Sequence, residues 1–130
     1  DGQFIAEAAR LRSLLGGTMR QVGFMAAAAL YGLRHNRDRM AEDHANARYL
    51  AQGLAKIEGL SVALETVQTN MVYVDVAAGA ARADRLITQL ADKGIMAWSL
   101  SGRLRFVTSM LVGRADCEVA VAVAGEALAQ

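Results

Sequence analysis

Apolar residues recur with a helical period near the start of the chain. Residues 3–15 are predicted to form an amphipathic helix that ends at Gly16 and Gly17. Its apolar positions follow the helical period: Phe4, Ile5, Ala8, Leu11 and Leu15.

A second helix is predicted over residues 22–33, which are rich in Ala, Leu and Met. Thr18 and Gln21 have the spacing of a capping box and would start it. So apolar a segment predicts a deeply buried helix. Its small residues, among them Gly23 and Ala26, would allow another helix or subunit to pack closely against it. Ordinary packing in a hydrophobic core is an equally good explanation of these small residues.

The third predicted helix, residues 37–57, would be capped by Asn36 and end at Glu58 and Gly59. Its apolar positions form one stripe. They are Met40, Ala47, Leu50, Leu54 and Ile57.

Beyond residue 60 the pattern changes to short apolar runs separated by turns, which predicts strands. A helix over residues 79–94 is expected between them, with Leu86, Ile87 and Leu90 buried and Gly94 as its C-cap. The order is β-β-α-β-β-α, which favours a small sheet covered on one face by helices. The other predicted segments are strands 61–64, 71–76, 95–98 and 104–107, a turn at 99–102 and a helix at 116–129.

Composition then narrows the classes of function. The chain has 130 residues, a net charge of +1, one cysteine and 54% hydrophobic residues. This charge provides no excess positive field for nucleic acid, and one cysteine forms no internal disulfide framework. With no apolar run long enough for a bilayer and no signal peptide, we expect a cytoplasmic protein with no nucleic-acid and no membrane partner. Because it opens on Asp1 without an initiator Met, we expect it to be part of a longer protein.

The segment from Gly16 to Gln21 could bind an anion. It precedes a helix whose first N–H groups carry partial positive charge, and Arg20 adds a cation there. A Gly-Gly break followed by a cap is also an ordinary connection between two helices.

A second candidate is the strand that contains Arg103 and Arg105. Side chains alternate along a strand, so both arginines should face away from Leu104 and Phe106. Arg105 lies deeper in the strand and would need a carboxylate or phosphate partner. That partner is either a ligand or an internal carboxylate such as Asp75.

Other reactive residue types are less informative. No histidine lies at metal-ligand spacing, so no metal site is expected, and His44 is interpreted as a packed, hydrogen-bonded residue. Cys117 has no histidine nearby in sequence and is interpreted as structural. The only two lysines, Lys56 and Lys93, are expected to be solvated.

Several segments in order along the chain carry a family resemblance: Gly16-Gly17-Thr18-Met19-Arg20-Gln21, Asn36, Glu42-Asp43-His44, Thr69-Asn70-Met71 and Arg103-Leu104-Arg105-Phe106-Val107-Thr108. Together they resemble the C-terminal portion of low-specificity L-threonine aldolases. These are fold-type I pyridoxal-phosphate enzymes of the β-eliminating lyase group.

The resemblance implies an α/β fold, in which residues 1–35 end the large pyridoxal-phosphate domain and supply interface helices. Residues 36–130 would form an α+β small C-terminal domain. It also implies that Arg20 reaches the cofactor phosphate of a neighbouring subunit and that Arg105 binds the α-carboxylate of the substrate. The assembly would be a homodimer or homotetramer.

The activity implied is cleavage of L-threonine, L-allo-threonine or a related β-hydroxy-α-amino acid to glycine and an aldehyde. The family's Schiff-base lysine has no counterpart in these residues, so the chain alone is expected to be inactive and to hold no catalytic residue. Ser13 and Ser109 replace a lysine and a histidine common in the family. A phenylserine aldolase or another β-eliminating lyase is therefore an alternative, and a non-catalytic ligand-sensing or dimerisation module is an alternative of another class.

Overall fold

The computed structural model describes residues 1–129. They divide into a first unit, Asp1–Arg37, and a second unit that begins at Asp38. Among residues 1–129, each helix is too short or too polar to cross a membrane. The helices are α1 (Gly2–Leu14), α2 (Val22–His35), α3 (Met40–Leu54), α4 (Ala80–Ala91) and α5 (Arg114–Leu128); the strands are β1 (Leu60–Ser61), β2 (Met71–Val76), β3 (Trp98–Leu100) and β4 (Arg103–Val107).

Local capping defines both ends of α1. The carboxylate of Asp1 accepts a hydrogen bond from the N–H of Phe4 at 2.8 Å. At the other end Gly16 has a φ of +77°, and the N–H of Gly17 donates to the carbonyl of Arg12 at 2.7 Å. This is a Schellman termination, so the predicted end at the glycine pair is confirmed.

The predicted start of α2 at residue 22 is confirmed, but its predicted capping box and burial are wrong. The N-cap is Gln21, with a left-handed φ of 52° and no side-chain capping bond, so Thr18 does not form the expected capping box. No residue of α2 is buried, and Phe24 is 82% exposed. The apolar composition of this segment therefore predicted the helix correctly but not its burial.

The second unit is a four-stranded antiparallel sheet in the order β1-β2-β4-β3, with α3, α4 and α5 packed on one face. The predicted β-β-α-β-β-α order is confirmed. Alternate side chains of β2 and β4 enter the core. The buried strand residues are Val72, Val74, Val76, Leu104 and Phe106, and the helices contribute Ala47, Leu50, Ala51, Leu54, Ala83, Leu86, Leu90, Cys117, Ala120 and Ala124.

The predicted start and end of α3 and the predicted start of the last helix are wrong, since α3 runs from Met40 to Leu54 and the last helix begins at Arg114. Asn36 does not cap α3; its N–H ends α2 by donating to Gly32, and a 3₁₀ turn at Arg37–Arg39 precedes α3. The last helix starts earlier than predicted, after Gly113, whose N–H donates to the carboxylate of Asp116 at 2.8 Å.

The third strand lies three residues later than predicted. Gly94 has a φ of +77° and, as expected, closes the helix end, where the N–H of Ile95 donates to the carbonyl of Leu90. Residue 95 therefore bonds to the helix rather than to a strand, and β3 begins only at Trp98. The first strand is also shorter than predicted, because a 3₁₀ turn occupies Leu64–Thr66.

Candidate functional site

The sheet of the second unit has an open face opposite its helices. The predicted alternation in β4 is confirmed, since Leu104 and Phe106 are buried while Arg103, Arg105 and Val107 point the other way. This open face is mainly apolar and carries two cations and one carboxylate. Its residues are Met71, Tyr73, Asp75, Trp98, Leu100, Arg103, Arg105 and Val107.

Arg103 forms a salt bridge with Asp75, the only carboxylate of the open face. It is the Cα partner of Asp75, and its Nε and Nη2 lie 3.0 and 3.3 Å from the two carboxylate oxygens. Its guanidinium carbon also lies 5.4 Å from the ring centroid of Tyr73. The internal salt bridge considered from the sequence therefore forms with Arg103 and leaves Arg105 without it.

Arg105 occupies the middle of the open face. Its Cα partners are Tyr73 on β2 and Trp98 on β3, and its guanidinium carbon lies 4.9 Å from the Trp98 ring centroid. Within residues 1–129 it makes no salt bridge, and its buried Nε has no hydrogen-bond partner. Buried donors are nearly always paired, and a carboxylate or phosphate suits the guanidinium fork. The arrangement can therefore bind an anion.

A cleft of about 170 Å³ lies beside this cation. Its walls are mostly apolar, which lowers the local dielectric and strengthens an ion pair relative to one in water. The lining residues are Tyr73, Trp98, Leu100, Arg103 and Arg105.

Two other residues of the family motifs hold the strands in register. Thr108 is buried and donates through Oγ1 to the carbonyl of Asp43 at 2.7 Å, which ties the end of β4 to α3. Asn70 donates through Nδ2 to the carbonyl of Thr108 at 2.8 Å. These hydrogen bonds fix the chain at the end of β4, three residues after Arg105.

The second predicted site residue, Arg20, lies in the first unit. It is exposed in the turn directly before α2, and no described carboxylate pairs with it. The first N–H groups of α2 receive no side-chain cap. Arg20 and Arg105 therefore belong to different units, and their roles stay predictions.

Cys117 and His44 are the other residues whose side chains could take part in chemistry. Cys117 is buried in the core, and this burial raises the pKa of its thiol, which disfavours the nucleophilic thiolate. His44 is half-buried on α3. Residues 1–129 hold no group of three side chains able to bind a metal ion.

Sequence reasoning missed the aromatic residues beside Arg105. Trp98 is the only tryptophan of the chain and is 63% exposed, and Tyr73 is 38% exposed. A short apolar strand followed by a two-residue turn and a second strand indicates a β-hairpin. A hairpin with Ser101 and Gly102 as its turn would have placed Trp98 opposite Arg105.

Several low-specificity L-threonine aldolases are similar in sequence to this chain. A probable low-specificity L-threonine aldolase 2 of Arabidopsis thaliana is 49% identical over 74 residues, which cover 57% of this chain and 21% of that protein. Low-specificity L-threonine aldolase 1 of the same plant is 36% identical over 115 residues, or 87% of this chain and 32% of that protein. The Escherichia coli K12 low specificity L-threonine aldolase is 42% identical over 56% of this chain and 21% of its own length. The resemblance to this group is confirmed, and the chain spans about a fifth to a third of the length of these relatives.

Solved structures show the same fold. Glutamate decarboxylase of Lactobacillus brevis superposes on 83% of this chain and 27% of its own, with a TM-score of 0.62 and 20% identity. A phospholyase from Arthrobacter in complex with phosphoethanolamine covers 80% of this chain and 28% of its own, with a TM-score of 0.66 and 17% identity. The predicted α/β fold class is thus confirmed. The model of the β-eliminating lyase family matches residues 1–77, and the chain belongs to that family.

Proposed function

We propose that the full-length protein is a pyridoxal-phosphate-dependent aldolase that cleaves L-threonine, L-allo-threonine or a related β-hydroxy-α-amino acid to glycine and an aldehyde. The observation that carries this proposal is Arg105, a half-buried cation with an unpaired Nε on the open face. The threonine aldolase relatives support the reaction class.

In this proposal Arg105 binds the α-carboxylate of the amino acid. A guanidinium presents two parallel N–H groups to a carboxylate, which fixes both the distance and the plane of the substrate. The fixed carboxylate then orients the Cα–Cβ bond that breaks. Glycine and the aldehyde are the products of that cleavage.

The residues of the first unit suit the phosphate of the cofactor. Arg20 has no described ion partner and stands at a helix start whose N–H groups have no side-chain cap, an arrangement that attracts phosphate. Pyridoxal phosphate, when bound, supplies the electron sink for the cleavage. The chain itself supplies binding and orientation.

We also propose that Arg20 serves a neighbouring subunit of a homodimer or homotetramer. The exposed apolar side chains of α1 and α2 support an assembly, because such surfaces are normally covered. They include Phe4 at 69%, Phe24 at 82% and Leu33 at 67% exposure. Residues 1–35 would then be the end of the large domain with its interface helices, residues 36–130 the small domain, and the enzyme cytoplasmic.

The test is Arg105→Ala in the full-length protein, assayed with L-threonine. We expect the KM to rise at least tenfold, because a charged hydrogen-bonding partner of the carboxylate is lost. The matched control is Arg85→Ala, which removes an equal charge from an exposed position of α4 and should leave the KM unchanged. Unchanged KM and kcat in Arg105→Ala would remove Arg105 from the site.

A phenylserine aldolase is the second candidate function, favoured by the aromatic walls beside Arg105. Tyr73, Trp98 and Leu100 line the cleft and would contact an aromatic β-substituent more extensively than a methyl group. The ratio of kcat/KM for phenylserine to that for threonine decides between the two.

A further inference from the structure

Trp98 lies on the open face rather than in the core. It is 63% exposed, and its cross-strand partner in the β3–β4 pair is Arg105. Its ring centroid lies 4.9 Å from the guanidinium carbon, within the range of a cation–π interaction. The exposed Trp98 ring therefore contacts the Arg105 guanidinium.

The other groups around Arg105 are engaged elsewhere. Asp75 pairs with Arg103, and the Tyr73 ring also has Arg103 over it at 5.4 Å. Among residues 1–129, the buried Nε of Arg105 has no hydrogen-bond partner and no carboxylate forms a salt bridge with Arg105. A free arginine side chain samples many rotamers, and fixing them costs free energy on binding.

We propose that Trp98 is a positioning residue that holds the Arg105 guanidinium ready for a carboxylate. A guanidinium placed over a ring keeps its N–H donors in its own plane, so the donors at its edge stay available for a bidentate ligand. The inference rests on the proposed function, in which that ligand is the α-carboxylate of the substrate. Trp98 acts through Arg105 and needs no contact with the reacting atoms.

The kinetic test compares Trp98→Ala and Trp98→Phe in the full-length protein. We expect the KM for L-threonine to rise on the order of fivefold in Trp98→Ala and to be largely restored in Trp98→Phe, which keeps a π face. When Arg105 is already Ala, adding Trp98→Ala should have no further effect on the KM. Met96→Ala is the matched control and should leave the KM unchanged, since Met96 is a large exposed apolar residue two positions before Trp98 that does not line the cleft.

A spectroscopic test reports on the pair without turnover. In full-length protein labelled with 5-fluorotryptophan, the ¹⁹F resonance that disappears in Trp98→Phe belongs to Trp98. It should shift in Arg105→Ala and on addition of glycine. No shift in either case would overturn the inference, as would an equal effect of Trp98→Ala in the presence and absence of Arg105. If the KM is unchanged in Trp98→Ala but raised in Arg105→Ala, only the role of Trp98 is rejected. If the KM is unchanged in Arg105→Ala, the proposed function is rejected.

Discussion

Two arginines of one strand, Arg103 and Arg105, have different environments although they are two residues apart and face the same side. The first lies opposite Asp75 and is neutralised by it, with both carboxylate oxygens engaged. The second lies opposite Tyr73 and Trp98, which offer no opposite charge. The Arg103–Asp75 pair is exposed, so it adds little to stability, but it keeps the carboxylate occupied.

Arg103→Gln should therefore weaken amino-acid binding in the full-length protein although Arg103 is not proposed to touch the substrate. The freed Asp75 lies diagonal to Arg105 on the neighbouring strand, within reach of its long side chain, and would compete for its charge. We expect a two- to fivefold rise in the KM at low salt, reduced at high salt by screening.

The double variant Asp75→Asn with Arg103→Gln is the control for this competition. It removes the competing carboxylate and should return the KM towards that of the original protein. An equal rise in the KM in both variants would show that Arg103 contributes directly rather than through Asp75.

At the scale of the elements, the tight β3–β4 hairpin sets the register of the open face. Ser101 and Gly102 have φ angles of 51° and 90°, and Leu100 pairs with Arg103 around them. Two positive φ angles are characteristic of the type I′ turn, whose twist suits a two-residue hairpin. The carbonyl of Gly102 also accepts a hydrogen bond from Val76, which connects the turn to β2.

Gly102→Ala should destabilise the protein by about 1–3 kcal/mol, because its φ is unfavourable for a residue with a Cβ. The added Cβ would also lie 3.2 Å from the backbone nitrogen of Ala80. Urea unfolding followed by circular dichroism measures the change. Ser101→Gly is the matched control in the same turn, and it should be nearly neutral because glycine adopts a positive φ readily. Equal stabilities of Gly102→Ala and the original protein would contradict the role given to this turn.

On the scale of the whole molecule, the hydrophobic core belongs to the second unit alone. Its buried residues run from Ala47 to Ala124, whereas α1 and α2 bury none. A unit that has its own hydrophobic core can in principle fold independently.

We therefore expect residues 38–130 alone to fold and to unfold cooperatively in urea. Within this shorter chain, Leu86→Ala should cost about 2–5 kcal/mol, because it leaves a cavity in the core. A gradual, non-cooperative loss of helical signal would show that the core depends on residues 1–37.

The sequence by itself determined the elements whose signals are local. The strand at Met71–Val76, the burial of Leu86 and Leu90 on α4 and the glycine terminations after Leu15 and Lys93 follow from side-chain period and from the φ freedom of glycine. The outward direction of Arg105 follows from strand alternation in the same way.

Only the tertiary structure decided which groups meet across the sheet. The register of β2 against β4 places Asp75 opposite Arg103, and the register of β3 against β4 places Trp98 opposite Arg105. The sequence also could not show that α2 buries nothing among the described residues. Pairing and burial depend on residues distant in the chain, and a local pattern specifies the face of an element without specifying what lies opposite it.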